Sequence, residues 1–207
     1  MRTLMLLAAA ALAAAPLHAQ DEEFTRPPEW RLRFDRTGTP DTAVYFVEMP
    51  PGWHVTTGPA VILWDPARTA SGDYMVRSTI HLFDPGQRRE AFGLFIGGRD
   101  LSGPEQAYTY FLIRRNGSFL VKERRGDDTQ TLVEWTEHEA IVPHPGGDQT
   151  VENTLEIRCA GDGVAFLVNG ETVTTLPRSR VMTDGVVGLR VNHALNVHVE
   201  ELVVERS

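Results

Sequence analysis

Two alternating segments carry polar side chains where a strand packed on both faces would carry none. In Tyr74–Phe83, Tyr74, Val76, Ile80 and Leu82 fall on one face, and Met75, Arg77, Thr79, His81 and Phe83 on the other. In Val186–Asn192, Arg190 and Asn192 share a face opposite Leu189 and Val191. Planar donors beside flat apolar groups are what a sugar needs, one for its hydroxyls and the other for its C–H faces. Arg77, His81, Arg190, Asn192 and His193 are therefore expected to line a carbohydrate groove, with Phe111 as its apolar platform. The competing reading is a solvated sheet face whose long side chains snorkel.

Other chemistries find less support. Glu137 and Glu139 have an i, i+2 spacing suited to a retaining glycosidase pair, whose carboxyl groups sit about 5–5.5 Å apart. They lie where a strand runs out into polar sequence, and the Glu-x-Asp-x-x-Glu signature of β-sandwich glucanases is absent. His81 or His193 is the natural general base if the chain is an enzyme, since an unperturbed imidazole titrates near pH ~6.5. His138/His144 and His193/His198 lack the ligand spacing of a zinc site. No cofactor is indicated, although calcium held by Asp65 or Asp84 with backbone carbonyls stays open. Phosphate-loop, nucleophile-elbow and dinucleotide fingerprints are missing. The single cysteine, Cys159, falls on the apolar face of Thr154–Ala160, which predicts a packed thiol rather than a nucleophile.

The elements that must position these residues are strands. Short apolar or alternating runs recur with Gly, Pro, Asn and Asp between them, the pattern of an all-β, two-sheet antiparallel β-sandwich. Strands are expected at Ala43–Glu48, Ala60–Trp64, Tyr74–Phe83, Phe92–Ile96, Tyr108–Arg115, Ser118–Arg124, Thr131–Thr136, Thr154–Ala160, Val164–Val168, Thr172–Leu176, Val186–Asn192 and Val197–Val204. Asn116-Gly117 and Asn169-Gly170 each predict a two-residue hairpin turn, and Gly161-Asp162-Gly163 a third tight turn. A two-residue turn at Asn116-Gly117 pairs Ile113 with Leu120 and Phe111 with Lys122, placing Tyr110, Leu112, Phe119 and Val121 on the opposite face. Of the four tryptophans, Trp30, Trp64 and Trp135 read as packing, and Trp53 as lying nearest a rim.

Residues 1–19 read as a secretory signal. Arg2 precedes the unbroken apolar run Leu4–Ala15, which is too short to span a bilayer, and Ala19 supplies the small residue before a cut. Export to the periplasm or medium follows, with an N-terminal extension over residues 20–42 and one sandwich domain over 43–207. The formal charge of −8 argues against a general nucleic-acid binder, and no later segment is long and apolar enough to span a membrane. A protein partner on the same mixed face is a further alternative.

From Gly52 onward the order of elements resembles the concanavalin A-like jelly rolls of the laminin-G-like kind. It is most similar to bacterial secreted 3-keto-disaccharide hydrolases and their uncharacterised relatives. The resemblance rests on Gly52-Trp53-His54-Val55, Gly72-Asp73-Tyr74-Met75-Val76, Leu167-Val168-Asn169-Gly170-Glu171, Gly185-Val186-Val187-Gly188-Leu189-Arg190 and Val197–Val204. It implies a jelly-roll fold and either carbohydrate binding or hydrolysis of a keto-sugar glycoside. Thr109 and Phe111 stand where the enzymatic relatives carry acidic and amide groups, and this weakens the hydrolase expectation.

Overall fold

Strands account for most of residues 25–206, the part of the chain described by the computed structural model; the expected signal lies outside the described residues. One sheet runs, edge to edge, β1 (Arg31–Phe34), β4 (Val61–Ala70), β13 (Gly185–Val191), β6 (Ala91–Arg99), β7 (Ala107–Arg114), β8 (Ser118–Arg125) and β9 (Asp128–Glu137). The other runs β12 (Glu171–Pro177), β11 (Gly163–Val168), β10 (Val151–Ala160), β5 (Tyr74–Leu82), β14 (Leu195–Glu200), β3 (Gly52–Thr57) and β2 (Val44–Met49). β15 (Val203–Arg206) extends this eight-stranded sheet by pairing with β5 beyond β14. All pairings are antiparallel, and two one-turn 3-10 segments, Asp41–Ala43 and Arg178–Arg180, complete the regular structure among the described residues. The fold is thus the two-sheet β-sandwich that the spacing of strands and turns predicted.

The core lies between the sheets, filled from one side by Leu63, Leu94, Phe111, Phe119 and Leu189, and from the other by Val55, Ile80, Leu155, Ile157 and Phe166. Each strand that contributes does so with every second residue, because successive side chains leave a strand on opposite faces. Cys159 is 1% exposed within this core, and burial pushes its thiol pKa upward, so it is an apolar packing group.

The two Asn-Gly hairpins resolve differently. Asn169 and Gly170 both adopt positive φ (52° and 85°) and join Val168 directly to Glu171, the expected two-residue turn. At the other hairpin only Gly117 has positive φ (80°), its N–H bonds to Arg114, and the loop has three residues, Arg115 to Gly117. Ile113 therefore pairs with Phe119 and Leu112 with Leu120. That one-residue shift exchanges the β8 residues that share a face with each side of β7. Phe111, Ile113, Phe119 and Val121 point into the core, and Tyr110, Leu112, Leu120 and Lys122 point outward. The loop is tied down in this form by His138 N–H on Gly117 O and His144 N–H on Arg115 O. No local sequence signal reports these two contacts.

Candidate functional site

The six residues singled out by sequence do not converge. Arg77 and His81 project from β5 on the outer face of the eight-stranded sheet. Arg190 projects from β13 on the outer face of the other sheet, with Asn192 and His193 just past its end. Phe111 is 0% exposed between the sheets, 5.3 Å from the Phe166 ring and 6.1 Å from Phe119. It cannot be a ligand platform, because the face of β7 that carries it packs against the other sheet.

On the seven-stranded sheet, register sets the outward side chains in rows. Arg33, Ile62, Arg190, Gly93, Leu112 and Leu120 form one line across six strands. Arg31, Trp64, Gly188, Phe95, Tyr110 and Lys122 form the next. Gly188 is required there, since a Cβ would lie 2.6 Å from the Phe95 ring and 2.4 Å from Leu63 O. Although no second sheet covers this face, Ile62, Phe95, Tyr108 and Leu112 are at most 1% exposed. The aromatic rings bury one another (Phe95–Tyr108 5.3 Å, Tyr108–Tyr110 5.6 Å), and Leu101 of the β6–β7 connection closes over one end. Arg33 pins that connection through the carbonyls of Leu101 and Gly103.

Arg190 sits in the middle, 6% exposed. Asp35, just after β1, receives its fork at 3.0 and 2.6 Å, the Tyr108 hydroxyl lies at 3.1 Å, and the guanidinium stands 5.0 Å over the Tyr110 ring. Burial disfavours its charge, but the Asp35 carboxylate, by hydrogen bond and charge, outweighs burial and holds its pKa above the ordinary value. In the same way burial favours a neutral Asp35, yet the hydrogen bond and charge of Arg190, together with Arg124 at 3.5 Å, carry its pKa below the usual range. Desolvation raises both tyrosine pKa values, which keeps the hydroxyls protonated. At the far side Arg114 lies 3.2 Å over the ring of Trp135, which is only partly buried. The buried Nε atoms of Arg190 and Arg114 and Oδ1 of Asn192 have no hydrogen-bond partner among the described residues. His193 is largely exposed, its Nδ1 3.6 Å from Glu90.

The outer face of the eight-stranded sheet has another character. His54, His198 and His81 lie in register on β3, β14 and β5, with neighbouring ring centroids 6.3 and 5.8 Å apart. His81 Nε2 is 2.8 Å from Glu200 and its Nδ1 3.7 Å from Glu152. Desolvation lowers the pKa of His54 against a hydrogen bond that its ring donates to Asn196; desolvation, then the charges of His81 and His54, lower that of His198. Beside this row, a hollow of about 280 Å³ opens where β15 takes over from β14, lined by Arg77, Thr79, Thr154 and Glu200. Among the described residues no three His, Cys, Asp or Glu side chains converge to hold a metal ion. Asp65 and Asp84 each turn back to cap a backbone N–H of their own loop, at Ala67 and Gly86. No helix among the described residues is long and apolar enough to cross a membrane.

Sequence reasoning missed Asp35, Tyr108, Tyr110, Arg124, Arg114 and Trp135 as partners of Arg190 or of one another. The alternation Arg31-Leu32-Arg33-Phe34 was the available signal for an additional edge strand, and that strand delivers Asp35.

No protein-family model and no curated protein sequence matches this chain. Solved structures do. A carbohydrate binding module of type CBM66 from Bacillus subtilis superposes with a TM-score of 0.62 at 12% identity, covering 88% of this chain and 97% of that one. A Bacillus subtilis protein of unknown function with a galectin-like fold gives 0.61 at 12% identity, over 86% and 89%. A GH16 protein of the Bacteroides ovatus mixed-linkage glucan PUL, in complex with a G4G4G3G product, gives 0.59 at 6% identity, over 88% and 97%. The fold is a concanavalin A-like jelly roll. At these identities the likeness speaks for architecture, since one sandwich hosts many functions.

Proposed function

We propose that this protein binds a glycan on the outer face of its seven-stranded sheet. The observation that carries the reading is the array on that face. Apolar groups (Tyr110, Leu112, Leu120 and Trp135) lie beside the guanidinium groups of Arg114, Arg124 and Arg190 on a sheet surface with no second layer over it. Rings accept the C–H faces of a sugar and fixed donors accept its hydroxyls, so the ligand loses little by leaving water. Arg190 acts mainly by fixing Asp35 and Tyr108, with Asn192 at the end of the same strand, and the accessible contacts fall to Trp135, Arg114 and Lys122. The carbohydrate binding module and the product-bound GH16 protein support the reading by sharing the fold.

A thermal-shift screen of the chain lacking residues 1–19 against a glycan panel tests it. A stabilising sugar is expected, and Trp135→Ala should weaken that sugar about tenfold while leaving the unliganded melting temperature within a few degrees, because stacking on one ring contributes on the order of 1–2 kcal/mol. A panel with no stabilising sugar would sink the proposal and favour a protein-interaction module.

A second reading, a hydrolase of the 3-keto-disaccharide type, has one observation in its favour. His81, held by Glu200 beside the Arg77–Thr79–Thr154 hollow, is placed as a general base on the opposite sheet. It predicts turnover of oxidised disaccharides that His81→Gln abolishes; no turnover on a panel of oxidised and ordinary disaccharides removes it.

A further inference from the structure

We propose, building on the glycan-binding reading, that the ligand is an acidic glycan, one whose sugars carry carboxylate or sulfate groups. The two outer faces of the sandwich divide the charge of the chain unequally. On the seven-stranded sheet the outward positions hold Arg31, Arg33, Arg114, Lys122, Arg124 and Arg190, against Asp35 and Glu137. On the eight-stranded sheet Glu152, Glu156, Glu200 and Glu205 outnumber Arg77 and Arg158. In a chain of formal charge −8, cations thus outnumber acids at the outward positions of the face that also carries the aromatic floor.

The internal partners of these cations decide what is left for a ligand. Arg190 and Arg124 share Asp35, and Arg33 is taken up by the carbonyls of Leu101 and Gly103. Arg114 and Lys122 have neither a hydrogen bond nor an ion pair among the described residues. Arg114 is also partly removed from water by Trp135, and desolvation, with the charge of Arg89, lowers its pKa against the pull of Glu90. A half-desolvated guanidinium with unmet donors is a poor partner for a neutral hydroxyl and a good one for a planar anion, which it can hold with two parallel N–H···O bonds. The ring beneath it, Trp135, is only partly buried. Lys122 stands opposite the buried Tyr110 on the neighbouring strand, so a second unpaired charge lies on the same outer face. Two unpaired cations on one face, one of them over a partly exposed ring, suit a chain of charged sugars.

Calorimetric titration of the chain lacking residues 1–19 tests this with oligogalacturonate, its methyl ester, sulfated dextran and plain dextran, each at 50 and 300 mM salt. The expected result is binding of oligogalacturonate, sulfated dextran or both at least about tenfold tighter than of the uncharged counterpart, weakening as salt rises. Which of the two acids binds distinguishes carboxylate from sulfate recognition. Arg114→Gln and Lys122→Gln should each cost about fivefold to tenfold for the acidic glycan, and clearly more than for any neutral one. Equal affinity for the ester or for plain dextran would overturn the acidic-glycan proposal while leaving glycan binding intact. Binding of the acids unchanged in both variants would overturn it too, since the charges would then be met elsewhere. No binding of any of the four sugars, with none stabilising the protein in the wider panel, would overturn both proposals together.

Discussion

The two sheets have inner faces of similar composition and outer faces that differ sharply. Along β5, β14 and β3 buried and solvent-facing residues alternate one for one, as in a sheet with water on its far side. Along β6, β7 and β8 almost every residue is buried, including those that point away from the core. The difference teaches that a sheet face can be dried by its own side chains and one connecting loop. The buried charge at its centre brings its counter-ion, as Arg190 brings Asp35. On the open face, the hydroxyl pair Thr79–Thr154 (2.7 Å) and the half-exposed histidines face water and need no such arrangement.

The sharpest way to break the comparison is to shorten one outward residue on each sheet. Leu112→Ala, at 1% exposure, should destabilise the fold by about 2–5 kcal/mol in urea unfolding, as a core leucine does. Thr79→Ala on the open face should cost under about 1 kcal/mol. Equal losses would mean that the two faces are not different environments. Next in size, Asp35→Ala strands the Arg190 charge. The loss should be about 2–3 kcal/mol, less than for a fully buried pair because the Asp35 side chain is 34% exposed. Adding Arg190→Met to it should restore part of that loss, and additive losses would show the pair to be uncoupled. Gly188→Ala pushes a methyl group against the Phe95 ring and should lower stability by about 1–3 kcal/mol, visible as a lower melting temperature.

The smallest effect concerns pH. His54 and His198 have folded pKa values below the unfolded value of about 6.5, so between the two the unfolded chain binds more protons. Their contribution is fully present above pH ~6.5 and is lost as pH falls through the folded pKa values. The melting temperature should therefore drop by a few degrees between pH 7 and 5, and the double variant His54→Gln, His198→Gln should flatten that slope. An unchanged slope would assign the pH dependence to carboxylates instead.

Much of the fold was legible. Alternation in Tyr74–Leu82 correctly assigned each residue to its face, Asn169-Gly170 specified its own turn, and the burial of Cys159 followed from its parity in Val151–Ala160. The six candidate residues were a different matter. Arg190 and Asn192 lie near the same end of β13, but nothing local says that β5 and β13 belong to different sheets. Phe111 went astray because both faces of its ribbon are apolar and nothing local says which one is core. The partner strand was misregistered by one residue, since an Asn-Gly pair suits both a two-residue turn and a three-residue loop closed by glycine at positive φ. What selects the longer loop is a pair of hydrogen bonds from residues 138 and 144, more than twenty positions away.

The amino-acid sequence by itself determined that this chain folds as strands, where most of them run, and which residues of a strand share a face, because alternation is a property of neighbouring residues. Only the tertiary structure decided which strands lie side by side, which outward face is dry, and that Asp35, Tyr108 and Tyr110 surround Arg190. Those facts are set by pairings between segments up to 155 residues apart, and the energy that selects them exists only once the sheets have closed on one another.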